Sequence, residues 1–160
     1  MSQTPLALRP SLPADQASLE HLAVASGLFQ QSEIGEFSGM MSAYFAGETQ
    51  GDFWISCVQD GVVTGAGYCG PEGFADRVHN LYFIAVEPAL QGMGQGSAIL
   101  AEVEQKLRSE GARMLIIETS GQGSFELTRR FYRKHGYDEE ARIREYYGPG
   151  DDKVVFRKAL

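Results

Sequence analysis

Three glycines in five residues, Gly92, Gly94 and Gly96, form the cluster with the clearest chemical potential in the sequence. Glycine has no Cβ atom, so a ligand can approach the backbone there and bind its N–H groups. The residues that follow have the pattern of a helix, and the first N–H groups of a helix are unpaired and carry a partial positive charge. A diphosphate is therefore the natural ligand of such a turn.

On these residues alone, several interpretations of the turn stay open. The simplest is a tight connection that binds nothing. Another is a dinucleotide site, because the run from Gly92 to Ser97 nearly matches GxGxxG and Glu118 follows at roughly the distance of a ribose-binding acid. The third glycine of that pattern is missing, however. A nucleoside triphosphate loop is excluded, since no Gly-Lys-Ser/Thr follows the glycines.

The elements around the turn follow from hydrophobic periodicity. An apolar strand is predicted over Val78–Val86 before the turn, a helix over 94–110 after it, and a second strand over 114–119. A strand, helix and strand in one sheet form a right-handed crossover with parallel strands. The turn thus lies at the carboxyl end of a parallel strand.

The rest of the chain surrounds this unit with antiparallel structure. Two helices are predicted before it, the first beginning after Asp15 and ending at Gly27, followed by a hairpin that turns at Asp60-Gly61. A helix from about residue 124 and strands over 137–147 and 153–160 come after it. The order β-α-α-β-β-β-α-β-α-β-β predicts a single α/β (α+β) domain over residues 1–160, and the antiparallel parts argue against a dinucleotide-binding fold.

The amino-acid composition limits the classes of molecule that the protein is expected to bind. Fourteen basic and twenty-one acidic residues give a formal net charge of −7, which disfavours nucleic acid and anionic membranes and modestly favours a cationic substrate. The apolar run from Leu81 to Val86 is too short to span a bilayer, so we expect a cytoplasmic protein. A two-residue hairpin turn would place Thr64 opposite Cys57, so a disulfide with Cys69 is not expected. Both cysteines are predicted to pack as small buried groups, with no metal site.

Two motifs carry a resemblance to a known family. The segment VEPALQGMGQG, from Val86 to Gly96, resembles motif A of the GNAT N-acetyltransferases, matching its pattern at Gln91, Gly94 and Gly96. Further along, the segment FYRKHGY at 131–137 resembles that family's second signature, a Phe-Tyr pair before Gly-Phe or Gly-Tyr. The resemblance extends over nearly the whole chain, and the tail from Tyr137 to Leu160 resembles a bacterial subgroup of the family. It implies a mixed, mostly antiparallel sheet with a splayed parallel pair, about four helices, and acetyl-CoA as the acyl donor.

The same resemblance implies roles for individual residues. Backbone N–H groups of 93–97 would bind the CoA pyrophosphate, and the backbone of 84–86 would pair with the pantetheine arm like an added strand. The Val86 N–H would lie near the thioester carbonyl and stabilise the negative charge that develops there. The implied cofactor-binding residues are Ile84, Ala85, Val86, Gln91, Gly92, Met93, Gly94, Gln95, Gly96, Ser97 and Thr128.

Catalysis in the family is direct attack of an amine on the thioester. An amine with a pKa of about 10.4 is protonated at pH 7, so a base is expected. Tyr132 occupies the position that commonly donates a proton to the leaving sulfur. Relatives often carry an acid where this chain has Asn80, which leaves Glu118 as the leading candidate for the base, with His79 or water as alternatives.

The sequence says less about the amine that accepts the acetyl group than about the acetyl donor. Two residues depart from the family pattern, since Phe125 and Thr128 stand where relatives often have Asn and Ala. The predicted activity is acetylation of a primary amine, on a small molecule, a protein N-terminus or a lysine, with the acceptor pocket formed by the first two helices and the loop at 70–77. The alternative is a non-catalytic acyl-CoA-binding regulatory module, which the missing acid at Asn80 makes conceivable. No sequence feature sets the oligomeric state.

Overall fold

A computed structural model describes residues 4–160. The predicted order of elements is confirmed in this part of the chain. The strands are β1 (Ala7–Pro10), β2 (Phe53–Gln59), β3 (Val62–Pro71), β4 (Val78–Val86), β5 (Met114–Ser120), β6 (Asp138–Gly148) and β7 (Asp151–Ala159). The helices are α1 (Gln16–Ala25), α2 (Ile34–Phe45), α3 (Gln95–Ser109) and α4 (Glu126–Lys134), with short 3-10 turns before several of them.

The hairpin of β2 and β3 shows one correction to the sequence analysis. Asp60 and Gly61 both have positive φ, 52° and 77°, which suits a two-residue hairpin turn. The predicted pairing of Cys57 with Thr64 is wrong, because Cys57 lies opposite Gly65. The register shifts between Cys57 and Val58, so an irregularity near the turn moves the partner by one residue. Cys57 and Cys69 are both buried, as their predicted packing role requires.

The strands are hydrogen-bonded in the order β1-β2-β3-β4-β5-β7-β6. By their contacts, the residues form two compact units. The first unit contains the chain up to Gly70 together with Phe83–Gln105, and the second contains Pro71–Tyr82 together with Lys106–Leu160. Strand β4 and helix α3 therefore contribute residues to both units.

The first unit buries its strands on both faces. One face of β2, β3 and β4 packs against α1 and α2, where Trp54 stacks on Tyr68 with ring centroids 4.6 Å apart and Phe37 meets Phe83 at 5.4 Å. The other face meets α3 through Ile99, which lies with Cys57 and Val86. Burial on both faces explains why β2 is buried from Phe53 to Cys57.

The second unit contains the parallel pair. Residues Val78–Leu81 of β4 pair with Met114–Ile117 of β5, as the predicted crossover requires. Strand β5 is also antiparallel to β7, and β7 is antiparallel to β6. Phe156 of β7 packs against Tyr132 of α4 at 5.5 Å between ring centroids. Both predicted catalytic residues, Tyr132 and Glu118, belong to this unit.

Candidate active site

The glycine turn begins after β4 and a short 3-10 turn at Pro88–Leu90. Gly92 and Gly94 have φ values of 79° and 88°, a region that residues other than glycine adopt only at a cost in free energy. A Cβ atom built on either residue would meet nothing within 4 Å, so backbone conformation rather than crowding requires glycine there. The open space is also what a ligand needs to reach the backbone.

Helix α3 starts directly after Gly94. Ala98 N–H donates to the Gly94 carbonyl at 3.0 Å, so the amides just before Ala98 precede the intrahelical ladder. Their N–H groups and the helix dipole favour an anion at this end. Gly92 and Gly94 are exposed, and Met93 is 70% exposed. The residues present thus fit the pyrophosphate group of a CoA molecule.

Two glutamines hold the turn in place. The Gln91 side chain donates from Nε2 to the Val86 carbonyl at 3.2 Å, which ties the turn to the end of β4. Gln95 turns inward and is only 3% exposed. Its Oε1 accepts a hydrogen bond from Thr64 Oγ1 at 2.8 Å, and its Nε2 donates to Gln59 Oε1 at 3.0 Å. Gln95 therefore anchors the first turn of α3 to the β2–β3 hairpin by its side chain.

Close packing sets the distance between α3 and β3. A Cβ atom on Gly65 would lie 3.0 Å from Ile99 Cδ1, and one on Gly67 would lie 2.9 Å from Ile99 Cγ2. The contact at Gly67 is closer than real Cβ atoms approach, and the contact at Gly65 is tighter than most, so glycine at these positions lets the helix approach the strand. These two glycines were not evident from the sequence, and Gln95 was expected only as a cofactor-binding residue, because the packing roles of all three depend on the register of β2, β3 and α3.

The residues predicted to pair with pantetheine end strand β4. Ala85 is 5% exposed and packs in the α1–α2 core, Val86 is 8% exposed and packs beside Ile99, and Ile84 is half-buried next to it. Their side chains therefore pack in the protein interior. Contacts with a ligand would come from their backbone, as the prediction requires.

Tyr132 lies on the buried face of α4. It is 3% exposed and is enclosed by the rings of Phe131, Tyr137 and Phe156, whose centroids lie 5.5, 6.1 and 5.5 Å from its own. Burial raises the pKa of the Tyr132 phenol well above its usual value, which keeps the group protonated. A neutral phenol is the form that can donate a proton. The predicted cofactor contact Thr128 is half-buried on the same helix.

Arg129 fixes α4 to the end of β5 and was missed by the sequence analysis. Its guanidinium is buried and donates to the carbonyls of Ser120 and Gln122 at 2.7 and 2.8 Å, and to Glu126 Oε2 at 2.8 Å. An arginine satisfies several acceptors with one planar group. The helix that carries Tyr132 is thereby held against the strand that carries Glu118.

Glu118 is engaged by a cation. Lys153 Nζ lies 3.0 Å from Glu118 Oε1 and 4.1 Å from the centroid of the Tyr146 ring. Burial lowers the pKa of Lys153, but the hydrogen bond and charge of Glu118 more than offset this, and the net result is a raised pKa. The structure thus places the predicted base in an ion pair.

The other candidates for the base lie on β4. Burial lowers the pKa of His79, although the charge of Glu110 acts in the opposite direction. Its Nδ1 is buried without a hydrogen-bond partner in residues 4–160. Asn80 is 2% exposed and donates from Nδ2 to Glu72 Oε1 at 2.8 Å. Glu72 was not singled out in the sequence, since only the fold brings it to Asn80.

The described residues show two further features of the chain. Within residues 4–160, no group of three or more His, Cys, Asp or Glu side chains is arranged to hold a metal ion. No helix in that range is long and apolar enough to cross a membrane.

Comparison with known proteins matches this fold and turn to one class, the acetyltransferases that use CoA thioesters. The model of the acetyltransferase (GNAT) family matches residues 16–137, and this chain belongs to that family. No functionally curated protein sequence matches the chain.

Among solved structures, a GNAT-family acetyltransferase from Desulfovibrio desulfuricans is 32% identical, with a TM-score of 0.90 over 97% of this chain and 99% of that one. YncA from Salmonella typhimurium, solved with acetyl-CoA, is 19% identical, with a TM-score of 0.81 over 98% and 95% of the two chains. The ribosomal-protein-S18-alanine N-acetyltransferase from Escherichia coli is 18% identical, with a TM-score of 0.79 over 98% and 94%. The last two likenesses, at under 20% identity, show the fold alone.

Proposed function

We propose that this acetyltransferase moves the acetyl group of acetyl-CoA to a primary amine by direct attack of the amine. The amine would belong to a small molecule, a protein N-terminus or a lysine. The observation that carries the proposal is the turn before α3, where Gly92 and Gly94 adopt positive φ in open space. The proposal treats residues 1–160 as one catalytic domain that acts in the cytoplasm without a metal ion.

In this proposal the backbone holds the donor. The N–H groups of 93–97 bind the pyrophosphate, with Gln91 and Gln95 keeping the turn in shape, and the backbone of 84–86 pairs with the pantetheine arm. Bound acetyl-CoA supplies an acetyl group activated as a thioester. The Val86 N–H stabilises the negative charge that develops on the acetyl oxygen. Thr128 contributes a cofactor contact from α4.

Tyr132 acts as the proton donor to the departing sulfur. Its burial favours the protonated phenol, so the group is ready to donate throughout the neutral pH range. For the base, Glu118 is the candidate from the sequence. Its carboxylate lies 3.0 Å from Lys153 Nζ, and a pH profile of kcat that Glu118→Gln leaves unchanged would eliminate it.

The experiment that tests the function has two arms. Acetyl-CoA at 100 times its dissociation constant should stabilise the protein by about 2.7 kcal/mol, and NAD at the same concentration should not. Release of CoA thiol is then measured with an alanyl peptide, a peptide with an internal lysine and spermidine as acceptors. Thermal stabilisation without thiol release from any of them would contradict the enzyme and favour the non-catalytic acyl-CoA-binding module.

A further inference from the structure

Thr64 is an extra residue in the pairing of β2 with β3. Cys57 lies opposite Gly65, and the next residue of β2, Val58, lies opposite Val63. Thr64 stands between those two partners, so β3 carries one more residue than β2 at this point. Such an insertion is a β-bulge, which leaves the extra residue outside the ladder and changes the direction of its side chain.

The bulge directs the Thr64 side chain toward helix α3. A Cβ atom on the next residue, Gly65, would lie 3.0 Å from Ile99 of α3, and successive residues of a regular strand point to opposite faces. In a regular strand, Thr64 would therefore point away from α3. Instead, its Oγ1 donates to Oε1 of Gln95, the first residue of α3, at 2.8 Å, and both side chains are buried. The bulge thus brings a hydroxyl group to the start of the helix.

Thr64 also holds the other end of the segment that contains the glycine turn. Its carbonyl accepts a hydrogen bond from the N–H of Glu87, the residue that follows β4, at 2.8 Å. One residue of β3 therefore binds both ends of the segment 87–95, by its backbone at Glu87 and by its side chain at Gln95. Between these ends, a Cβ atom on Gly92 or Gly94 would meet nothing within 4 Å, so close packing does not fix the glycines. The two ends therefore set where the N–H groups of the turn lie.

The Thr64 hydroxyl is the stronger of two donors to Gln95 Oε1. The other is the buried thiol of Cys57, whose Sγ lies 3.6 Å from the same oxygen. Burial raises the pKa of this thiol, which keeps it protonated, but a thiol is a weak donor. The amide end of Gln95 donates to Gln59 Oε1 at 3.0 Å. Loss of the Thr64 hydroxyl would leave the carbonyl end of Gln95 with the thiol alone, and the first residue of α3 would be held less firmly.

We propose that Thr64 is a positioning residue for the acetyl donor. It sets the spacing between the end of β4 and the start of α3, so that the N–H groups of 93–97 meet the CoA pyrophosphate. This role rests on the proposed function, which assigns the pyrophosphate to these N–H groups. Thr64 itself contacts neither the donor nor the acceptor. Its hydroxyl therefore matters for ligands that carry a diphosphate and not for ligands that lack one.

Thr64→Val tests this role, because it keeps the shape of the side chain and the carbonyl that binds Glu87 but removes the hydroxyl. The dissociation constant of acetyl-CoA, measured by calorimetry, should rise about tenfold. The dissociation constant of 3′-phospho-ADP, which carries the diphosphate without the pantetheine arm, should rise by the same factor. S-acetylpantetheine, which carries the arm without the diphosphate, should bind as it binds to the wild type. Thr64→Ser keeps the hydroxyl and should have wild-type affinity for all three ligands.

Ser56→Ala is the matched control. It removes a buried hydroxyl of β2 that hydrogen-bonds to the Ser11 hydroxyl at 2.7 Å, so it should lower thermal stability and leave the affinity for acetyl-CoA at the wild-type value. In a double-mutant cycle, Thr64→Val should cause no further loss of affinity in Gln95→Leu protein, because the partner of the hydroxyl is already gone. A positioning role for Thr64 is overturned if Thr64→Val binds acetyl-CoA as tightly as the wild type, if its affinity for S-acetylpantetheine falls to the same extent, if Ser56→Ala loses as much affinity, or if the two losses add in the cycle.

Failure of the proposed function would give a different result. Wild-type protein that binds acetyl-CoA and acetylates no amine would overturn the enzyme and leave the role of Thr64 in donor binding intact. Wild-type protein that binds S-acetylpantetheine as tightly as acetyl-CoA would overturn the pyrophosphate site, and the role of Thr64 with it. Wild-type affinity in Thr64→Val, for a wild type that prefers acetyl-CoA, would overturn the role of Thr64 alone.

Discussion

The glycine turn and the second unit differ in the kind of group that would meet a ligand: backbone groups at the turn and side chains in the second unit. At the turn, the proposed binding groups are backbone N–H groups, and the side chains of Gln91 and Gln95 hold the backbone in place. In the second unit, the proposed reactive groups are side chains, Tyr132 and Glu118, and each is fixed by its own neighbours. Tyr132 is enclosed by aromatic rings, whereas Glu118 faces the ammonium of Lys153.

This difference predicts where each region is sensitive. The turn should tolerate a new side chain at a position with ordinary φ, such as Met93, but not a change of backbone conformation. In the second unit, a substitution should be tolerated only if it keeps both the reactive atom and the group that contacts it, even when the backbone is unchanged. Two variants therefore test this difference, one in each region. Tyr132→Phe removes one oxygen from a side chain, and Gly94→Ala adds one methyl group to the turn.

The largest effect is expected for Tyr132→Phe. The variant keeps the ring that packs against Phe156 and Tyr137 but removes the proton donor, so kcat should fall by about 100-fold or more. The acetyl-CoA dissociation constant should not change, because the turn is untouched. Steady-state kinetics with calorimetry measures both. Tyr146→Phe, which removes a phenol oxygen from an exposed residue of the same unit, is the control; near-wild-type turnover of Tyr132→Phe would show that Tyr132 only packs.

The next effect is on binding. Gly94→Ala forces a side chain into φ near 88°, at a cost of about 1–2 kcal/mol, and should weaken acetyl-CoA binding by roughly tenfold if the turn adjusts its backbone. kcat at saturating acetyl-CoA should change less. Gly39→Ala on α2 is a matched control, since Gly39 has no positive φ and open space for a Cβ atom. Equal affinities for the two variants would contradict a backbone site.

Prediction from sequence succeeded where residue type alone dictates the outcome. Gly92 and Gly94 take positive φ, Gln95 begins a helix, and Val78–Val86 is an apolar strand, so the turn and its flanking elements were predictable. The fold class followed from the same periodicity. The partners of the side chains did not, because Asn80 meets Glu72 across a loop and Glu118 meets Lys153 across a strand pair.

Helix α4 shows a second limit of prediction from the sequence. Leu127 is apolar but 78% exposed, while the charged Arg129 is buried. Arg129 is stable there because the carbonyls of Ser120 and Gln122 accept its donors, and no local pattern reveals those acceptors. The Cys57 register failed for a related reason, since an irregularity beside the turn has no clear signature in residue type.

A smaller effect is expected at Gln95. Gln95→Leu leaves the Thr64 hydroxyl and the Gln59 amide without their partner, which should lower the free energy of unfolding by about 1–3 kcal/mol. Adding Thr64→Val removes one of the stranded groups and should recover part of the loss. Denaturant unfolding measures the stability, and calorimetry measures whether acetyl-CoA affinity falls with it. If Gln95→Leu is as stable as the wild type, Gln95 does not anchor the turn.

The smallest effect is expected at Asp15, a carboxylate of the first unit that is paired with Arg9. Arg9 donates to both oxygens of Asp15, at 2.6 and 2.9 Å, and this hydrogen bonding holds the pKa of Asp15 below its usual value. Burial opposes the shift, while the Leu12 N–H adds to it. A lowered folded-state pKa means that the stabilisation is complete above the unfolded-state pKa, about 3.9, and is lost as pH falls through the folded-state value.

Asp15→Asn should therefore lower the free energy of unfolding at pH 7 by about 1 kcal/mol, a small value because Arg9 is partly exposed and solvent screens the pair. The difference from the wild type should shrink as the pH falls below 4, where the wild-type carboxylate also becomes neutral. Urea unfolding at pH 7 and at pH 3 measures this, with kcat as the second readout. Asp15→Asn should change stability and leave kcat unchanged, whereas Glu118→Gln, at the candidate base, should lower kcat. A loss of kcat in Asp15→Asn without a loss of stability would break the distinction between these two ion-paired carboxylates.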